Sequence, residues 1–207
     1  MKYAFILLTL LSHAAHAEVL APEHGAWIGM VHKGKIGEAT HTALQTEYRN
    51  QGSNLLLLRF GFTHDLPHGL FVESGLDRFQ SASGEIRIWQ GVGFAKPWIP
   101  DWFSSLTKFR LETRLSDSTG LGMRGRLLVD LGGPLGFHLF DEAFGVFKSI
   151  SVKEKRFVSR NWFGMTWNHN FPHHLGLQVG GMLETIVKPD LSTNNGFVLI
   201  VRPSISF

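Results

Sequence analysis

The chain of 207 residues contains no cysteine. That excludes a disulfide framework, a thiol nucleophile and a thiolate metal site together. Beyond residues 1–17 there is no run of about 18 apolar residues, so helical membrane spans are excluded as well. Charge of one sign is also lacking: 20 Lys and Arg face 17 Asp and Glu, a balance too even to argue for nucleic acid as a partner. The glycines do not form a phosphate-cradling loop or a dinucleotide fingerprint, because they follow strand positions rather than strand-to-helix turns. Neither a Pro/Ser-rich linker nor a fixed-period repeat divides the chain, which is consistent with one domain.

What is present is an export signal followed by alternation. Met1-Lys2-Tyr3 is a short basic start, Ala4 to Leu11 an apolar run too short to cross a bilayer, and Ala15-His16-Ala17 a small-x-small cleavage site. The expected division is a signal peptide over 1–17 and a single barrel domain over 18–207. From Phe103 to Leu131 the pattern has period two. Phe109, Leu111, Thr113 and Leu115 take one parity, and Lys108, Arg110, Glu112 and Arg114 the other. After the turn at Asp117 to Gly120, Met123, Leu127, Val129 and Leu131 oppose Arg124, Arg126 and Asp130. A helix would smear these residues around its surface, so the period predicts strands.

The same alternation recurs from Thr40 to Asn50, Leu55 to Thr63, Leu70 to Asp77, Glu85 to Phe94, Phe137 to Lys148, Phe157 to Phe171 and Leu175 to Val187. Turn chemistry lies between these segments. Trp27 to His32 is a weaker first strand, turning at Lys33-Gly34-Lys35 after a leader over Glu18 to Gly25. Lys96 to Trp102, with two prolines and two tryptophans, reads as a connection at a membrane interface, and Ser149 to Lys155 as a charged loop. The 23 glycines and the 12% aromatic content suit closely spaced, twisted strands with aromatic girdles. The expected fold is all-β, an antiparallel up-and-down transmembrane β-barrel of about 10–12 strands. Because single-chain bacterial barrels use even counts, ten or twelve are expected.

The last stretch sets Phe197, Leu199, Val201, Pro203, Ile205 and Phe207 against Gly196, Arg202, Ser204 and Ser206. An amphipathic strand ending on an aromatic resembles the closing strand of bacterial outer-membrane barrels. That resemblance makes Phe207 an assembly signal and the barrel-assembly machinery a partner. Outer-membrane lipids are the other expected partner, the bacterial outer membrane the expected location, and a monomer the favoured state.

A family resemblance adds to this reading. Gly84-Glu85-Ile86-Arg87-Ile88-Trp89-Gln90, then Phe109-Arg110-Leu111-Glu112-Thr113-Arg114, Met123-Arg124-Gly125-Arg126 and Leu139-Phe140-Asp141-Glu142 resemble the motif succession of the DUF2490 family. That resemblance implies a bacterial protein with a signal peptide and an outer-membrane barrel; it brings no activity with it.

The candidate site is a like-parity set of charges: Glu47, Arg49, Arg59, Glu73, Asp77, Glu85, Arg87, Arg110, Glu112, Arg114, Arg124, Arg126, Asp130 and Glu184. Adjacent strands bring such groups to about 5 Å, within reach of Arg–carboxylate pairing. The expected result is a charged, largely occluded lumen with a structural, ligand-binding or narrow-pore role. Every acid in the set has arginine neighbours that would hold it ionised, which argues against a paired-carboxylate hydrolase. His169, His173 and His174 bracket a turn, the pattern of solvated loop histidines rather than of a metal site. No cofactor is expected. The serines, Ser53, Ser81, Ser83, Ser104, Ser105, Ser116 and Ser118 among them, fall mostly in turns and outside any nucleophile motif. Two alternatives stay open: a lipid-modifying enzyme embedded in the barrel, and a soluble periplasmic lipid-binding barrel.

Overall fold

The computed structural model describes residues 25–51, 53–80, 84–95, 103–116, 120–148, 158–188 and 190–207. The segments expected as signal peptide and most of the leader, the Lys96 to Trp102 connection and the Ser149 to Lys155 loop lie outside them.

Alternation becomes eleven strands: β1 (Gly25–Ile36), β2 (Thr40–Gln51), β3 (Ser53–Asp65), β4 (Leu70–Gln80), β5 (Glu85–Ala95), β6 (Ser104–Ser116), β7 (Gly120–Gly132), β8 (Phe137–Lys148), β9 (Val158–Asn170), β10 (Leu175–Val187) and β11 (Thr193–Ser206). Each pairs with its sequence neighbours in antiparallel register, and β1 meets β11 to close the barrel. Closure leaves no open strand edge to template aggregation.

The count corrects the expectation of an even number. With eleven strands the first and last run the same way, so the seam is parallel: Gly25 pairs with Val198, Val31 with Ser204 and Lys33 with Ser206. The weak N-terminal segment is a full strand, bonded along its whole length to β2 from Ala26↔Asn50 to Ile36↔Thr40. It also extends beyond the expected turn at Lys33 to Lys35. Gly29 and Gly34 blur its alternation, and both lie where an added Cβ would come within 3 Å of β2 atoms.

The period-two pattern sorts the side chains by face. Ile28, Leu58, Phe60, Ile88, Val92, Leu183 and Leu199 point outward and are exposed. The inward face holds both a cluster of Trp27, Phe144, Trp162, Met182, Val198 and Ile200 and most of the buried charge. Apolar outside and ionic inside inverts the arrangement that water favours.

Three of the turns at the end bearing Phe207 share one design. Leu66-Pro67-His68-Gly69-Leu70, Gly133-Pro134-Leu135-Gly136-Phe137 and Phe171-Pro172-His173-His174-Leu175 each close with the first residue's N–H donating to the last residue's carbonyl, at 2.7–2.8 Å. Each places two consecutive residues in the left-handed region. Glycine takes the second such position in two of the turns, and His174 takes it in the third, where a Cβ is less tolerated. Among the described residues every histidine, from His32 to His174, belongs to this end of the barrel.

Candidate functional site in the barrel lumen

Glu47, Asp77 and Glu112 are the most deeply buried of the lumen charges, each 0% exposed. Each is fixed by arginines. Arg59, one strand over, grips Asp77 with two parallel bonds of 2.8 and 2.6 Å. Arg124 donates to one oxygen of Glu112 at 3.0 Å and Arg126 to the other at 2.8 Å, while Arg126 also donates to Glu142 on β8 at 2.9 Å. Glu47 accepts from Arg49 on its own strand at 2.6 Å and from Arg202, which reaches over β1 from β11. Bidentate and charge-assisted bonds of this kind are the strong members of their class.

Some pairs skip a strand altogether. Arg110 on β6 donates to Glu73 on β4 at 2.9 Å, and Lys108 approaches the same carboxylate at 3.5 Å. Glu85 ties Arg87 to Arg114, at 2.5 and 2.8 Å. Asp130 departs from the pattern, meeting His138 at 2.9 Å instead of an arginine. Glu184 lies 3.2 Å from Arg160 and accepts from Trp162 Nε1 at 2.7 Å. All fourteen residues of the like-parity set therefore face the lumen, gathered into several ion-paired groups rather than a single network.

Among the described residues, Lys108, Glu142, Arg160 and Arg202 join these arginine and carboxylate pairs from outside that set. The parity of Lys108, Arg160 and Arg202 marks them in the sequence. Glu142 has no such marker, because β8 carries apolar residues on both faces, with Phe140, Phe144 and Val146 inside and Phe137, Leu139 and Phe147 outside.

Aromatic rings separate the charges. The guanidinium of Arg49 lies 3.9 Å from the Trp27 ring, that of Arg110 3.9 Å from Trp89 and that of Arg87 3.8 Å from Phe79. Trp89 fits because two glycines make room: a Cβ on Gly61 or Gly75 would lie 2.7 or 2.3 Å from its indole. Its Nε1 donates to Asp77 at 2.8 Å. Of the three lumen tryptophans among the described residues, two therefore donate to buried carboxylates. The third, Trp27, is 3% exposed, and its Nε1 has no partner among the described residues. A buried N–H left unbonded costs about 1–3 kcal/mol.

Two adjoining cavities interrupt the packing. One, of about 190 Å³, is lined by Trp27, Arg49, Arg59, Arg126 and Glu142 among others. A vestibule of about 380 Å³, with Lys33, His138, Asn168 and Ser204 in its wall, lies toward the Phe207 end, and the two share Gln45, Gln178 and Arg202.

On the outer face, a groove of about 430 Å³ between β3, β4, β5 and β6 includes Ser74, His64 and Gln90. His64 Nδ1 is 2.9 Å from the Thr40 hydroxyl. The serine positions need a correction: Ser53, Ser104, Ser105 and Ser116 belong to strands rather than turns, while Ser81, Ser83 and Ser118 are outside the described residues. Among the described residues no three His, Asp or Glu side chains gather closely enough to hold a metal ion.

In the turn between β10 and β11, the Ser192 hydroxyl and amide donate to Asp190 at 2.7 and 3.0 Å. The hydroxyl bond is the first cause holding that exposed carboxyl below its ordinary value.

A family model described as "Protein of unknown function (DUF2490)" matches residues 24–195. No curated protein and no solved structure matches the chain.

Proposed function

The chain belongs to the DUF2490 family, and from that premise we propose that it is exported by residues 1–17 and spans the bacterial outer membrane as a non-enzymatic barrel. The observation that carries the reading is the inverted surface. Large apolar side chains cover the outer face while the ion pairs are inside, an arrangement suited to hydrocarbon. Phe207 supports it at the closing seam: its N–H donates to the Lys33 carbonyl at 2.9 Å, and the residue is 81% exposed, its ring stacked parallel to that of His32 at 6.4 Å, which leaves it accessible to the assembly machinery. By that reading the Phe207 end faces the periplasm.

The lumen is proposed to be a plug rather than a pore. Barrels of about eight strands are filled by their own side chains, and those of 16–18 leave an aqueous channel. Eleven strands lined with paired Arg and Glu belong with the filled kind. Purified protein should show heat-modifiable gel migration and insert into liposomes, yet leave planar bilayers nearly silent. Cutting Arg110, Arg114, Arg124 and Arg126 together to Ala should produce small, noisy openings. Large, steady wild-type conductance would overturn the plug, and failure to insert would overturn the membrane reading.

A second reading, a lipid hydrolase, is favoured by the outer groove. Register sets Ser74 opposite Phe62 and His64 opposite Val72, which makes them diagonal neighbours on one face, at about 7–8 Å. Thr40 orients the imidazole where such a site would ordinarily use an acid. Incubation with phospholipid and lipopolysaccharide followed by mass spectrometry checks it. Acyl release abolished by Ser74→Ala would establish the enzyme, and unchanged lipids would remove it.

A further inference from the structure

The ion pairs of the lumen are not symmetric with respect to the cavities. The walls of the two cavities carry six cations, Lys33, Arg49, Arg59, Lys108, Arg126 and Arg202, against two carboxylates, Asp130 and Glu142. The acids that neutralise most of those cations do not reach the cavity surface. The side chains of Glu47 and Asp77 are 0% exposed, while those of Arg202 and Arg59 are 20% and 19% exposed. Each carboxylate is sunk into the barrel wall and the guanidinium covers it. A solute entering from the vestibule therefore meets a cationic surface, although the belt as a whole is nearly balanced.

Three further observations point to a ligand with more than charge. Trp27 Nε1, deeply buried and without an acceptor, belongs to the inner cavity that Arg49, Arg126 and Arg202 also line. Its two counterparts, Trp89 and Trp162, each donate to a carboxylate, so a carboxylate or phosphate oxygen is the acceptor this position lacks. Asn168 Oδ1, in the vestibule wall, is buried and unpartnered too. Gln45 and Gln178 stand where the cavities meet, and Gln178 Oε1 already accepts from Arg202 at 3.1 Å. Amides that both donate and accept recognise hydroxyl groups. Lys33, in the vestibule wall, has no carboxylate partner among the described residues. The vestibule volume falls within the range of about 300–1,000 Å³ typical of small-molecule pockets.

We infer that the vestibule and inner cavity form one binding site for a small hydroxylated anion carrying a carboxylate or phosphate, held between Arg202, Arg49 and Trp27 and admitted from the Phe207 end. Lys33 draws the anion in, the two arginines bind its charged group, Trp27 Nε1 donates to it, and Gln45, Gln178 and Asn168 bind its hydroxyls. The inference rests on the closed barrel and deepens the plug reading: the interior is a one-ended pocket rather than a passage. Detergent-folded protein suffices to test it, so its failure is separable from failure of the membrane reading.

Calorimetric titration of the folded, detergent-solubilised full chain with D-glucuronate, D-glucose 6-phosphate and neutral D-glucose decides it. Saturable binding is expected for at least one anion at low salt, weakened by added NaCl, with glucose binding at least tenfold more weakly. The carboxylate and phosphate arms tell which anion is preferred. Trp27→Phe keeps the ring and removes the donor; it should weaken anion binding about tenfold, the scale of one hydrogen bond to a charged group. Arg202→Gln leaves Glu47 still paired with Arg49 and should weaken binding at least as much. Lys33→Gln, in the vestibule wall and outside the ion-pair belt, should fold as wild type and bind several-fold more weakly. Absence of saturable heat with both anions, equal affinity for glucose, or wild-type affinity in Lys33→Gln and Trp27→Phe would overturn the inference.

Discussion

Glu112→Ala should lower the unfolding free energy of the barrel by about 3–5 kcal/mol, the scale for removing one partner of a buried ion pair. The carboxylate is fully buried between Arg124 and Arg126, and those arginines are 5% and 7% exposed. Arg126 keeps Glu142, but Arg124 is left beside other cations, Arg114 and Arg126 among them. Asp130→Asn is the comparison: Asp130 is about one quarter exposed and, among the described residues, meets His138 alone, so its loss should be below about 1 kcal/mol. Urea titration of both variants in one detergent, followed by tryptophan fluorescence, measures the difference. A Glu112→Ala loss as small as that of Asp130→Asn would mean a water-filled lumen that screens unpaired charge, and the plug would fail with it.

Ile88→Arg should cost about 2–4 kcal/mol in a lipid bilayer, the value for a cation near the midplane of a membrane barrel. Ile88 is 49% exposed on the outer face of β5, between Leu76 on β4 and Thr113 on β6. In water the same change would lie within about 0.5 kcal/mol, since an exposed arginine there relieves apolar contact with solvent. Leu191→Arg supplies the control: Leu191 is 65% exposed in the turn between β10 and β11, away from the strand belt, and should be neutral in either medium. Reversible folding into liposomes measures the loss. A neutral or stabilising Ile88→Arg would favour the soluble lipid-binding barrel.

Parity is what made these faces legible. From Phe109 to Leu115 the residue types alternate strictly, and from Met123 to Leu131 they do so except at the inward Leu128, and a strand must send successive side chains to opposite faces. One register therefore fixes which residues share a side. The pattern weakened where a face mixed residue types. β1 interrupts its alternation with Gly29 and Gly34, and its pairing with both β2 and β11 is a long-range outcome that local periodicity does not encode. On β8, Phe140, Phe144 and Val146 point inward beside Glu142, with the guanidinium groups of Arg124 and Arg126 at 4.9 and 4.8 Å from the Phe144 ring, so polarity alone could not identify the inner face.

The sequence by itself determined that the chain is built of amphipathic strands with one charged face, because alternation is a local property of the backbone. Only the tertiary structure decided the odd count and its parallel seam, since closure depends on how every strand tilts and pairs around the ring. It also decided which cation meets which carboxylate. Arg202 and Glu47 are distant in sequence yet bonded across β1, and Arg110 reaches Glu73 past β5. The asymmetry that buries the acids and leaves arginines lining the cavities belongs to that same level, because side chains of unequal length share one enclosed space.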